Sequence, residues 1–196
     1  RVEVDVFGDG HDMVAGVLQW RFLDDAQWHE TPLQPLVNDR WFAEFTVTRL
    51  GEYCYCVEAW VDHFISWRRD LRRRLDAGSD TMVDYQIGAG LIAKAAARAQ
   101  GDDRAVLERW ATRLRQAEDT AQGAEIAQEV EGNAVALRYP DRTLAVRYER
   151  ELRVVVDRDR AVFSAWYELF PRSTSKQPGS HGTLKDCAAQ LDYIAA

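Results

Sequence analysis

The stretch Trp166-Tyr167-Glu168-Leu169-Phe170-Pro171-Arg172-Ser173, continued by His181-Gly182-Thr183, decides how the C-terminal part of the chain folds. Ala161 to Phe170 is an apolar run of strand length, Pro171 stops it, and a loop rich in Ser, Gly and Pro follows. Thr183 can cap a helix running to Ala196, with Leu184, Cys187, Ala188, Leu191 and Ile194 on its apolar side. Strand, loop and helix make half of a βα unit, so a parallel-stranded domain is expected to begin here.

Upstream, the pattern is different. Val2, Val4 and Val6 alternate with Glu3 and Asp5, the period of a half-buried strand. Gly8-Asp9-Gly10 reads as a turn, with Ala15 to Phe22 as the second strand of a hairpin. Trp28 to Leu36 is broken by Pro32 and Pro35 and is at most an edge strand. Asn38-Asp39 turns the chain into a strand over Trp41 to Thr48, and Gly51 precedes another over Tyr53 to Trp60. Short strands with closely spaced turn signals imply an antiparallel sandwich of immunoglobulin-like type.

From Ala77-Gly78-Ser79-Asp80 to about Ala136 the chain is rich in Ala, Gln, Glu and Arg and has no proline. Asp80 or Thr81 can cap a helix through Ala99, and Gly101-Asp102 starts a second with Val106, Leu107, Trp110 and Leu114 as its stripe. Gly123 is expected to separate a third, using Ile126, Val130 and Ala134. Tyr139-Pro140-Asp141 ends the helices, and Glu151 to Asp157 returns to strand composition. The economical reading is one β domain interrupted by a helical hairpin or small bundle.

Composition narrows the function. With 32 acidic against 25 basic side chains, a net charge of -7 argues against a general nucleic-acid or anionic-membrane surface. No apolar run is long enough to span a bilayer, and no signal-peptide core is visible. Three cysteines form no disulfide framework, and Cys54 and Cys56 sit two apart on one strand, where bridging is poor. The odd count suits a reducing compartment, and a cytoplasmic location is expected.

The chemistry-bearing patterns are weak. Gly88-Ala89-Gly90-Leu91-Ile92-Ala93 fits Gly-x-Gly-x-x-Ala, but it lies inside a helical segment with no strand before it, so close helix packing is favoured over a dinucleotide site. Asp5, Asp9 and Asp12 lack the spacing of a calcium loop and read as turn residues. His11, His29, His63 and His181 are scattered, and with Cys54 and Cys56 they make no zinc pattern. Arg68, Arg69, Arg72, Arg73 and Arg74 are the one dense basic run. A solvated face paired with Asp and Glu is favoured there over phosphate or nucleic-acid binding. Core packing of Trp28, Trp41 and Trp60 is favoured over a sugar-stacking surface. No catalytic, cofactor-binding or metal-ligating residue is assigned.

The Trp166–Ser173 and His181-Gly182-Thr183 strings resemble the approach to the catalytic barrel of the bacterial maltose-1-phosphate maltosyltransferases, members of the α-amylase superfamily that build α-1,4-glucan. Gly10-His11-Asp12, Arg40-Trp41, Glu58-Ala59-Trp60-Val61-Asp62, Ser66-Trp67-Arg68 and Leu75-Asp76-Ala77-Gly78 resemble that family's N-terminal region in the same order. The resemblance covers most of the chain.

It implies an α+β chain: an immunoglobulin-like β-sandwich over 1–76 and 139–159, a helical insertion over 77–138, and the first βα unit of a truncated (β/α)8 barrel over 160–196. Phe64, Trp67, Leu71 and Leu75 have helical spacing, but the resemblance implies a strand over Ile65 to Asp76, and that expectation is adopted. Glycosyl transfer needs two flanking carboxylates, and barrel enzymes draw them from the ends of several strands. Glu168 has no such partner here, so the nucleophile and acid/base residues are expected beyond Ala196. The resemblance further implies retaining maltosyl transfer from maltose-1-phosphate to α-glucan in the parent enzyme. It implies no cofactor, and a homodimer built through the sandwich and insertion. The alternatives are a carbohydrate-binding module and the N-terminal part of an α-amylase-type hydrolase.

Overall fold

The computed structural model describes residues 1–195 as antiparallel sheets and helices in two units, Arg1–Val156 and the remainder from Asp157. The strands of the larger unit are β1 (Val2–Asp5), β2 (Val14–Phe22), β3 (His29–Pro32), β4 (Gln34–Pro35), β5 (Arg40–Ala43), β6 (Gly51–Val61), β7 (Val146–Arg147) and β8 (Leu152–Val156). One sheet has the order β1-β5-β4. In the other, β3, β2 and β6 are neighbours, and the free edge of β6 takes β7 at Glu58-Ala59 and β8 from Gly51 to Tyr55. Leu18, Trp20, Tyr55 and Val57 from the second sheet share an apolar core with Val2, Val4, Trp41 and Ala43 from the first. The alternation of each strand thus buries one face of each sheet.

Three expectations for the β region are corrected. Val2–Val6 and Ala15–Phe22 form no hairpin: β1 pairs with β5, with Asp5 opposite Arg40, and β2 pairs with β6. Arg40 reaches both Glu3 and Asp5, so charges across that pair complement each other. Asn38 and Asp39, both at positive φ, make the expected turn into β5. That strand ends at Ala43, short of Thr48, because its partner β1 begins at Val2, opposite Ala43; further on, the amides of Thr48 and Arg49 donate to the Tyr53 hydroxyl at 3.0 Å. Finally, Ile65 to Asp76 is a helix.

That helix is α1 (His63–Asp76). Asp62 caps it, its carboxylate accepting from the Ile65 amide at 2.9 Å. The helical spacing of Phe64, Trp67, Leu71 and Leu75 prevails because those residues pack on other helices and have no strand partner. The next helices are α2 (Met82–Arg98), α3 (Gly101–Arg115), α4 (Thr120–Ala127) and α5 (Val130–Ala136). Thr81 and Asp84 form the capping box that starts α2. The third helix expected around Gly123 is two helices. Gly123 lies within α4, where the Tyr85 ring occupies the space of a side chain, and Val130 is 83% exposed instead of in the stripe.

Helix packing explains Gly88. A Cβ there would lie 2.1 Å from the Trp67 ring, whose Nε1 donates to the Asp84 carbonyl at 2.8 Å. Nothing lies within 4 Å of a Cβ at Gly90.

The smaller unit differs from its expected strand and helix. Ala161 to Phe170 contains no strand: Asp159–Val162 is a 3-10 turn, and the chain is extended at Phe163 and Phe170 without a paired neighbour among the described residues. Extended backbone becomes a strand only when another strand takes its hydrogen bonds, and Trp166, at 94% exposure, packs on nothing comparable to a sheet. A second 3-10 turn, Pro171–Ser173, lies over Gly182, whose amide donates to the Arg172 carbonyl at 3.0 Å. A Cβ at Gly182 would meet the Pro171 carbonyl at 2.2 Å. Thr183 caps α6 (Leu184–Ala188) through a capping box with Asp186, as its position implies, but a turn separates that helix from α7 (Leu191–Ala195). The expected single helix is therefore interrupted, and its last residue, Ala196, lies outside the described residues.

Two outcomes follow from this packing. Gly88→Ala should destabilise the chain by about 1–3 kcal/mol in urea unfolding. Gly90→Ala, two positions along the same helix, should be neutral or stabilising by up to about 1 kcal/mol. Equal effects would remove the role given to Trp67. In hydrogen exchange, amides of the one-turn helices α6 and α7 should exchange far faster than those of α2 and α3. Strong protection of α6 and α7 in dilute monomer would contradict the marginal stability assigned to them.

Candidate functional site

The second face of the β3-β2-β6 sheet carries a connected polar array. Period-two alternation and the register put Gln19, Arg21, Glu30, Cys54, Cys56, Glu58 and Trp60 on this face. The segment after α5 returns over it and delivers Arg142 and Arg147. Arg142 forms a two-pronged pair with Glu30, both contacts at 2.9 Å, and reaches Glu58 at 3.2 Å. Its guanidinium also lies 4.4 Å from the centre of the Trp60 ring. Gln19 continues the chain, donating to Glu30 and accepting from Arg147, both at 3.1 Å. Arg147 and Arg21 both stand over Trp28, at 5.2 and 4.9 Å. Beside Arg142 opens a cleft of about 580 Å³, bordered by Trp41, Trp60, Asp62, Leu33 and Pro140.

The electrostatics limit what this array can do. The Arg142 fork, against partial burial, holds the Glu30 carboxyl below its ordinary range, and Glu30 raises the Arg142 pKa in turn. A general acid for glycosyl transfer needs a raised carboxyl pKa, so a Glu ionised and clamped in this way is unsuited to the task. The geometry is that of a fastener. It ties the chain leaving the helices to β3 and β6.

The residues singled out by sequence are dispersed. Trp28 and Trp60 carry arginines on their rings, while Trp41 sits in the intersheet core and donates to the Val6 carbonyl at 3.1 Å, so the three share no platform. Cys54 and Cys56 are buried free thiols, the latter donating to the Tyr148 carbonyl at 3.1 Å. His29 stacks on Trp20, His181 lies beside Arg172, and no group of three metal-ligating side chains occurs among the described residues. Glu168 is exposed in the smaller unit. In the basic run, Arg69 pairs with Asp70 and Arg74 with the buried Asp84, whereas Arg68, Arg72 and Arg73 have no carboxylate partner among the described residues. Arg142 and its array were missed, because ordinary charged residues far apart in sequence give no local signal.

Comparison with known proteins accounts for the motifs. Residues 1–158 match the family model of α-1,4-glucan:maltose-1-phosphate maltosyltransferase, domain N/S. The chain belongs to this family. It is 43% identical to the α-1,4-glucan:maltose-1-phosphate maltosyltransferase of Myxococcus xanthus over 98% of its length and 30% of the relative's. It is 40% identical to the Chlorobaculum tepidum protein of that name, over 99% of this chain and 29% of the relative. The chain thus spans less than a third of the curated maltosyltransferases it matches.

Within this maltosyltransferase region, the resemblance-bearing residues build the fold. Arg40 pairs with β1, Glu58 takes Arg142, Asp62 caps α1 and Trp67 packs on Gly88.

A double-mutant cycle on Arg142→Gln and Glu30→Gln should give a coupling of about 0.5–1 kcal/mol at neutral pH. Glu30 is depressed in the folded state, so its contribution is present above its unfolded value of 4.5 and is lost as the pH falls through the lower folded value. Unfolding midpoints should therefore show the coupling fade below pH 4.5. A pH-independent coupling would contradict the pairing.

Proposed function

We propose that this chain is the non-catalytic N-terminal portion of an enzyme that transfers maltosyl units from maltose-1-phosphate to α-1,4-glucan. Its role is structural: it carries the catalytic barrel and contributes to a homodimer through the sheets and helices. The observation carrying this reading is the match over residues 1–158 to the N/S domain of the maltosyltransferase family. In the proposed organisation, residues 1–62 and 139–159 form an immunoglobulin-like sandwich, and the helical insertion expected over 77–138 begins earlier, with α1 at His63. Residues 160–196 form the first βα unit of a (β/α)8 barrel. The two antiparallel sheets around one core and the Thr183-capped helix support that organisation. Ala161–Phe170 would become a strand on pairing with the next barrel strand.

The parent reaction would be a double displacement with retention, using an Asp nucleophile and a Glu acid/base from other barrel strands and no organic cofactor. Its partners are α-glucan and maltose-1-phosphate, with no role for nucleic acid. No described helix is long and apolar enough to cross a membrane, and a cytoplasmic site of action agrees with the free thiols. The family match favours the transferase over an amylase-type hydrolase.

The second reading, a carbohydrate-binding module, draws on the Trp41–Trp60 cleft. Against it, Arg142 covers the Trp60 ring, and Trp60 itself is buried. Calorimetric titration of the chain with malto-oligosaccharide separates the two. The structural role predicts no saturable heat, whereas clear saturation would favour the binding module.

A further inference from the structure

Beyond the scaffold role and independent of it, we propose that the cleft between α1 and the α4–α5 turn binds a small phosphate-bearing anion. The cleft encloses about 370 Å³, near the lower end of small-ligand sites. Arg68, Arg69 and Arg72 line it from α1, with Gln128 from the α4–α5 turn and Asn133 from α5 on the other side.

Two observations point to an anion. First, Arg68 and Arg72 lie one helical turn apart, an unfavourable like-charge spacing, and neither has a carboxylate partner among the described residues. The chain has more acids than bases, and Arg69 and Arg74 on the same helix each hold one. Second, the Arg68 pKa is lowered, by burial first and by the Arg72 charge second. An anion between the two guanidinium groups would offset both effects, and guanidinium forks match phosphate oxygens in geometry. On the opposite wall Asn133 is only 8% exposed, and its amide donates to the carbonyls of Ala127 at 3.0 Å and Glu129 at 2.7 Å. This fixes its orientation and leaves a buried Oδ1 without a donor. Several guanidinium donors on one wall suit an oxyanion such as hydrogen phosphate or a sugar phosphate. A nucleic acid would need a basic stripe longer than these few residues.

The test is calorimetry of the full 196-residue chain with inorganic phosphate and with glucose 1-phosphate, at ionic strength held constant with sodium chloride. Saturable binding is expected. Arg68→Gln and Arg72→Gln should each weaken it about tenfold. Arg73→Gln, on the same helix but outside the cleft, should change it less than about twofold. Unchanged far-ultraviolet circular dichroism confirms folding of each variant. Tighter binding of glucose 1-phosphate identifies a sugar phosphate as the ligand, and equal binding identifies free phosphate. The proposal is overturned if neither probe saturates in the millimolar range, or if Arg73→Gln weakens binding as much as the cleft variants do.

Discussion

The larger unit depends on a change of backbone direction at Asp62, where β6 becomes α1 without a loop. The buried Asp62 carboxylate caps the helix, and its own amide donates to the Met13 carbonyl at 2.7 Å. Ser66, one turn on, donates to the Asp62 carbonyl at 2.9 Å and accepts from the Met13 amide at 2.7 Å. The orphan donors of a helix start and the end of the β2–β6 ladder are thus satisfied by the same few groups. Trp67, one residue further, enters the helical core against Gly88. A single strand-to-helix junction therefore connects the apolar core between the sheets to the core among the helices.

Arg142 closes the same unit from the other end. The chain leaves the helices at Tyr139-Pro140-Asp141, and Arg142 fastens it to Glu30 and Glu58 before β7 and β8 complete the sheet. Glu30 and Arg142, which border the cleft beside Trp60, are thereby engaged in holding the fold. Glu30, held ionised by the Arg142 fork, is unsuited to act as a general acid.

Much of this was legible in sequence where the signal is local. The strands β2 and β6, the helices α2 and α3, the Thr81 and Thr183 caps and the packing role of Gly88 follow from periodicity and capping chemistry. For α1, spacing gave the right element and the family resemblance the wrong one, because Asp62 acts as a cap only once β2 and β6 meet. Pairing of β1 with β5 was hidden, since alternation shows that a strand exists but not which strand it joins. The two-residue strand β7 is too short to carry a pattern. Ala161–Phe170 has strand composition, but composition cannot supply the neighbour that a strand requires. At the array, Trp60 stood out by type, whereas Arg142 acquires meaning only from what it touches.

In the function proposed above, this region positions the machinery for maltosyl transfer, and bond making and breaking would fall to carboxylates of the barrel. The most direct test incubates the 196-residue chain with maltose-1-phosphate and a malto-oligosaccharide acceptor and follows phosphate release and acceptor elongation. The account predicts neither above the protein-free control. Sustained phosphate release with elongation, abolished by substituting Glu30 or Glu58, would contradict it and make the Arg142 array an active site.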